Sequence, residues 1–226
     1  MDFSFVKDYY MFFINGAKIT ILLAIFTIIF GVILGVLFAL MRISRNPVLK
    51  GIAAVYIEFI RGTPIMVQLF IFYYGLSFIG ITFPDISVLG SNLNDLMAGI
   101  VALSINSAAY VAEIVRAGIQ AIDKGQMEAA RSLGLNYTIS MKTIILPQAI
   151  KNILPALGNE FIAIIKESSI VSIIGIHELM YSNSTVRGIT FRPFEPLIIT
   201  AMVYFAITFT LSTLVRAFER RLQTVD

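Results

Sequence analysis

Residues 19–41 contain no charged side chain. A run of that length leaves a chain few options, because as a helix rising 1.5 Å per residue it reaches roughly 35 Å, enough to cross a hydrocarbon core of about 30 Å. In lipid the backbone must satisfy its own hydrogen bonds, which admits a helix or a closed barrel and little else. Further apolar stretches over residues 53–81, 96–115, 154–174 and 197–215 repeat the pattern, with charges gathered between them. The 58% of hydrophobic residues and 14% of charged ones lie far from the roughly 45–50% and 25% of soluble domains. The chain is therefore expected to be an all-α integral membrane protein of about five transmembrane helices. Residues 1–226 are expected to form a single transmembrane domain, with no internal repeat, low-complexity tract or second soluble domain. The first apolar run is too long, and too sharply ended by charge, for a cleaved signal peptide, and reads as a retained span.

Orientation follows from where the cations lie. Arg42, Arg45 and Lys50 follow the first span, Lys124, Arg131, Lys142 and Lys151 lie between the third and fourth, and Arg216, Arg220 and Arg221 follow the fifth. Short loops rich in Lys and Arg stay in the cytoplasm. Residues 82–95 carry Asp85 and Asp95 without a cation and belong outside. Five spans then put the N-terminus outside and the C-terminus in the cytoplasm, with Tyr9, Tyr10, Tyr73 and Tyr74 at the outer interface. Arg187 and Arg192 in the last outer loop run against this scheme.

The loop over residues 123–147 is the most polar long connection. Helix formers from Gln126 to Leu133, followed by Gly134, predict two short helices around a left-handed glycine, with Ala129 and Ala130 presenting a small face to a partner. The spacing Glu128-Ala129-Ala130, Gly134, Ile144, Leu146-Pro147 resembles the complete EAA signature of ABC importer permeases. Tyr56-Ile-Glu58-Phe-Ile-Arg61-Gly-Thr-Pro64, Ala109-Tyr110-Val-Ala-Glu113-Ile-Val-Arg116-Ala-Gly118 and Lys166-Glu167-Ser-Ser169 are similar to the polar amino-acid subfamily, so the resemblance covers nearly the whole chain. It implies a type I importer permease fold in the bacterial inner (cytoplasmic) membrane. It also implies a second permease subunit, identical or related, a cytoplasmic ABC ATPase dimer seated on the EAA loop through Gly125, Glu128, Ala129, Ala130, Arg131 and Gly134, and an extracytoplasmic amino-acid-binding protein that delivers substrate. The chain has no G-x-x-x-x-G-K-[ST] phosphate loop of its own. ATP and Mg are expected on the partner ATPase, and no cofactor on this chain.

Charged residues inside a bilayer are costly and call for an explanation. Glu58 with Arg61, and Glu113 with Arg116, lie three apart and are expected to form structural ion pairs on single helix faces. Pro64, after Gly62-Thr63, is expected to kink or break the second span. Glu160 differs, because it lies nine residues past Lys151, near the bilayer middle, with no cation one turn away on its own face. It could pair with Arg61 or Lys166 from elsewhere in the bundle, or be protonated. The sharper expectation is that it receives the side-chain cation of arginine, lysine or histidine, while Asn159, Asn106, Ser107 and Tyr110 bond the α-amino and carboxylate groups. Asn106, Ser107 and Tyr110 could equally glue helices together.

Other classes fit poorly. The net charge of +3 comes from residues that set topology, so nucleic-acid binding is not expected. His177 is the single histidine, and His177-Glu178 lacks the second histidine of a zinc site. No metal site and no catalytic constellation is expected, and the chain is read as a transport subunit rather than an enzyme. Cationic amino acids are the expected substrate, with glutamine or another polar amino acid as the alternative. An ion-coupled secondary transporter using Glu160 as a relay, or a membrane scaffold that only recruits a partner, are rivals from other classes; neither explains the EAA pattern.

Overall fold

The computed structural model describes residues 1–223. Helix α1 (Val6–Ile43) is followed by α2 (Pro47–Gly62), α3 (Ile65–Phe78), a small hairpin of β1 (Ser87–Val88) and β2 (Ser91–Asn92), α4 (Leu93–Gln120), α5 (Lys124–Ser132), α6 (Tyr137–Ser140), α7 (Leu146–Glu167), α8 (Leu179–Thr190) and α9 (Glu195–Gln223). A π turn over Met141–Ile145 leads into α7 and a 3-10 turn over Ser168–Ile174 leaves it. Three of these helices, α1, α4 and α9, are long and apolar enough to cross a membrane, and the α2/α3 pair adds a fourth if its two halves count as one span. Helix α7 is more polar, carrying Lys151, Asn152, Asn159 and Glu160.

Two expected spans take a different form. The stretch 53–81 is two helices meeting at a bend of 108°. Pro64 has no N–H to continue the α2 ladder, and it pushes Thr63 into extended backbone at φ −115° and ψ 144°. The stretch 154–174 is the second half of α7 followed by the 3-10 turn, which stops at Gly175 with φ +87°. The remaining spans lie inside longer helices, so that α1 adds nearly four turns before residue 19.

Helix α4 is the centre of the molecule. Its most apolar window is 72% buried, against 28% for α1 and 6% for α9. It lies along α1, whose buried residues include Gly16, Ile19, Leu23, Thr27, Gly31 and Gly35, which recur every three or four positions and form one stripe. Small residues let the two backbones approach closely. A Cβ at Gly35 would come within 2.6 Å of the Val111 Cβ. One apolar cluster joins Ile19, Leu23, Leu69, Leu96, Leu103 and Ile176, and a second joins Ala39, Ile57, Val111, Val115, Ala149 and Ile153. Helix α9 instead turns Phe205, Phe209, Leu214 and Phe218 outward, as suits lipid.

The chain start is tied to the α8–α9 link. Arg192 donates to the Asp2 carboxylate and carbonyl and lies over the Phe5 ring at 5.8 Å. The guanidinium beside Asp2 holds its carboxyl well below the usual carboxylate range. Arg192, which ran against the charge scheme of the loops, is thus partly neutralised by a neighbour from the other end of the chain.

Close packing of α1 on α4 makes Gly35 a sensitive position. Gly35→Val is expected to destabilise the fold by about 2 kcal/mol through overpacking, whereas Gly51→Ala, where nothing lies within 4 Å of the added carbon, should be neutral or slightly stabilising. Thermal unfolding in detergent measures both.

Candidate functional site

Asn106 and Ser107 occupy the midpoint of the 28-residue α4, and both are buried. Ser107 Oγ donates to Glu160 Oε1 on α7 at 2.9 Å. No other hydrogen bond and no ion pair reaches Glu160 among the described residues, so neither Arg61 nor Lys166 neutralises it. The carboxylate is half-buried. Room for the serine comes from α1, where a Cβ on Gly31 would stand 3.0 Å from Ser107 Oγ. Tyr110, three residues further along α4 and on a nearby face, is 38% exposed. Asn159 is exposed beside Glu160, and its side chain makes no hydrogen bond among the described residues.

Asn106 turns elsewhere. Its Nδ2 donates to Gln68 Oε1 at 2.9 Å, and the Gln68 amide explains how the break at Pro64 survives. Gln68 Nε2 donates to the Ile60 carbonyl at 2.7 Å and to Thr63 Oγ1 at 2.9 Å. Ile60 is the residue whose carbonyl would have accepted from position 64 had Pro64 carried an N–H. Thr63 Oγ1 donates to the Phe59 carbonyl at 2.9 Å, so side chains of the bend cover the carbonyls it exposes. Tyr56 adds a second tie to α4, its hydroxyl donating to the Ile105 carbonyl at 2.6 Å. Gln68 was missed in the sequence; its signal was a lone amide inside an apolar run, four residues after a proline.

The two expected ion pairs part company. Arg116 pairs with Glu113 at 2.6 Å, with Nε also donating to both carboxylate oxygens at 3.1 Å. Glu58 and Arg61 form no ion pair among the described residues. The Arg61 guanidinium instead lies over the Tyr110 ring, 5.4 Å from its centroid, which corrects the expectation. The spacing is the same; what differs is that an aromatic face of α4 stands across from Arg61.

At the other end of α4, two short helices flank Gly134. Asp123 caps α5 by accepting from the Gly125 N–H at 2.6 Å. Gly134, at φ +83°, donates to the Arg131 carbonyl at 3.0 Å while Leu135 donates to Ala130 at 3.1 Å, the paired closure that a left-handed residue gives a helix end. Ala130 is buried and anchors α5, leaving Glu128, Ala129 and Arg131 exposed and Leu133 at 82% exposure. A rigid, capped helix with a small and apolar exposed face can dock against another protein.

A further buried carboxylate is not visible in the sequence. Glu178, next to the lone histidine in what reads as a loop, is fully buried at the start of α8. It accepts from the Tyr181 N–H and from the Tyr204 hydroxyl, both at 2.7 Å, and so pins α8 to α9. Among the described residues no group of three or more His, Asp or Glu side chains could hold a metal ion.

Comparison with known proteins places this geometry in a family. Residues 31–224 match the model of the binding-protein-dependent transport system inner membrane component. The arginine transport system permease protein ArtQ of Bacillus subtilis is 42% identical over 226 residues, covering 100% of this chain and 99% of that one. The probable glutamine ABC transporter permease protein GlnM of the same organism is 39% identical over 223 residues, with 99% of each chain covered. A crystal structure of an amino acid ABC transporter with histidines superposes with a TM-score of 0.89 at 48% identity, covering 98% of this chain and 99% of that chain. The methionine transporter MetNI, at 18% identity, 96% and 99% coverage and a TM-score of 0.62, shares the fold. The chain belongs to the family of binding-protein-dependent transport system inner membrane components. It is a membrane subunit of an ABC transporter and not an enzyme, ATP hydrolysis residing on a separate subunit.

The bend held by Gln68 generates a direct test. Gln68→Leu leaves the Asn106 amide without its partner and the Ile60 carbonyl with only the longer bond from Thr63 Oγ1 at 3.4 Å, and should cost about 2 kcal/mol in reversible unfolding, well beyond a change at exposed Asn159.

Proposed function

We propose that this family member is the permease subunit of an ATP-driven amino-acid importer, forming the translocation pathway by alternating access and preferring cationic amino acids. The observation that carries the preference is Glu160, a carboxylate bonded by Ser107 at the middle of the central helix and paired with no cation among the described residues. An ionised group at that depth is expensive unless a partner arrives, and the side-chain cation of arginine, lysine or histidine is such a partner. Glu167 lies two turns further along the same face of α7 and adds negative charge along the route. Ser107 and the half-exposed Tyr110 supply polar contacts. Asn106 is committed to Gln68 and contributes by fixing α4. Asn159 stands next to Glu160 on the exposed side.

In this reading, five spans leave the N-terminus outside and the C-terminus in the cytoplasm, α7 serving as the fourth. Two permease subunits, identical or related, enclose the path, an extracytoplasmic binding protein loads it, and a cytoplasmic ATPase dimer drives it. ATP and Mg stay on that ATPase. The exposed face of α5, with Glu128, Ala129 and Arg131 and closed by Gly134, receives nucleotide-driven movement as a rigid body. The charge scheme of the loops and the capped geometry of α5 support this. The names of the relatives include both an arginine and a glutamine carrier, so glutamine is the second reading within the same mechanism.

Uptake of labelled arginine into proteoliposomes holding the permease and its ATPase, with the binding protein added outside, tests substrate and energy source together. Wild type should accumulate arginine only with ATP inside, and Glu160→Gln should cut arginine uptake at least about tenfold while sparing any glutamine uptake. Preference for glutamine, untouched by Glu160→Gln, would withdraw the cationic assignment; uptake that survives removal of the ATPase and stops with an uncoupler would point to an ion-coupled carrier. The absence of cysteine also allows topology to be read by single substitutions, with Asp85→Cys expected to label from outside and Lys124→Cys only from inside.

A further inference from the structure

Arg61 is a second charged group without an ionic partner. It is exposed, one turn before the bend at Pro64, and among the described residues it makes no hydrogen bond and no ion pair. Its nearest sequence candidate, Glu58, is not engaged. Glu113, one turn beyond Tyr110 on α4, is held by Arg116 at 2.6 Å and feels Arg61 only at longer range. What holds Arg61 is the Tyr110 ring, 5.4 Å from the guanidinium carbon, a cation–π contact that leaves the guanidinium N–H groups free to donate.

The position of Arg61 is also fixed from behind. Gln68 clamps the bend to Asn106 and Tyr56 clamps α2 to the Ile105 carbonyl, so the end of α2 cannot slide along α4. Ser107, which holds Glu160, and Tyr110, which holds Arg61, are three residues apart on neighbouring faces of α4, roughly 4.5 Å along the axis. An anion and a cation with no ionic partner among the described residues thus flank one stretch of one helix, and an amino acid with a cationic side chain carries the opposite charge for each.

We propose that Arg61 is the anchor for the substrate's α-carboxylate, receiving it while Glu160 receives the cationic end. Every amino acid carries that carboxylate, and the planar guanidinium matches it with two parallel donors. The inference rests on the amino-acid transport reading and deepens it. It assigns the two ends of the substrate to opposite charges, Arg61 enforcing the amino-acid class and Glu160 choosing within it. A carboxylate docked on Arg61 also supplies the close counter-charge that neither Glu58 nor Glu113 provides.

The test compares equilibrium binding of arginine and of agmatine, which is arginine without its carboxylate, to the permease assembled with its ATPase. Wild type should bind arginine roughly 30-fold more tightly than agmatine. Arg61→Gln should weaken arginine to the level of agmatine and leave agmatine itself unchanged, which also shows that the variant is folded; Arg61→Lys should recover part of the difference. Equal binding of the two compounds by wild type, or parallel loss of both in Arg61→Gln, would overturn the anchor. For a glutamine carrier, glutamine and 4-aminobutanamide form the same pair and decide the anchor in the same way, without touching the cationic assignment. Wild type that binds neither amino acid would sink the transport reading and the anchor with it.

Discussion

A polar group inside a bilayer has no water to turn to, and the middle of α4 is where this chain meets that constraint. Asn106 and Ser107, adjacent in sequence, point into different neighbours. One completes the bend between α2 and α3 through Gln68; the other binds the carboxylate of Glu160 on α7. The rest of the structure follows from this crossing. Glycines at 31 and 35 bring α1 close enough to cover it, the bend sets where α2 and α3 run, and α7 is held with its charge facing the centre. Without hydrogen bonds of this kind a broken helix would leave carbonyls bare in lipid, at a cost of several kcal/mol each.

The long apolar runs were legible because lipid leaves a chain so little choice. The proline break was legible too, since loss of an N–H is a local matter. Its 108° angle was not, because it depends on Gln68 finding Asn106 some 38 positions away in sequence, which no window of residues displays. The ion pairs make the same point. Glu113–Arg116 and Glu58–Arg61 have identical spacing, yet only the first closes. Spacing on one helix makes a pair possible, and the facing helix decides, here by offering Arg61 the ring of Tyr110. Glu178 entered the sequence reading only beside His177, in a zinc motif that lacks its second histidine. Its burial comes from α9, whose Tyr204 reaches it from 26 positions away. Glu160 stood out in the sequence through what it lacked, but the partners the sequence offered it were Arg61, Lys166 or a substrate cation, not the Ser107 hydroxyl that bonds it.

Charge is distributed along the molecule by role. At the chain start Arg192 and Asp2 neutralise each other, and at the far end of α4 Arg116 and Glu113 do the same. Between them stand Glu160 and Arg61, engaged among the described residues only by a neutral hydroxyl and an aromatic face. In the proposed function these two charges are the ones left for a ligand. At the loop over residues 123–147 the emphasis changes from charge to shape. A capped nine-residue helix, anchored by Ala130 and closed at Gly134, offers a small exposed face, and in the proposed coupling its displacement is passed along α7, the helix that carries Glu160.

The central claim is that the polar middle of α4 is the substrate site, and an experimental density map of the assembled transporter with bound arginine tests it most directly. The account expects the ligand against α4 with its guanidinium within hydrogen-bonding distance of Glu160. A ligand bound elsewhere, or a Glu160 carboxylate occupied by a protein cation once the second subunit is in place, would contradict it.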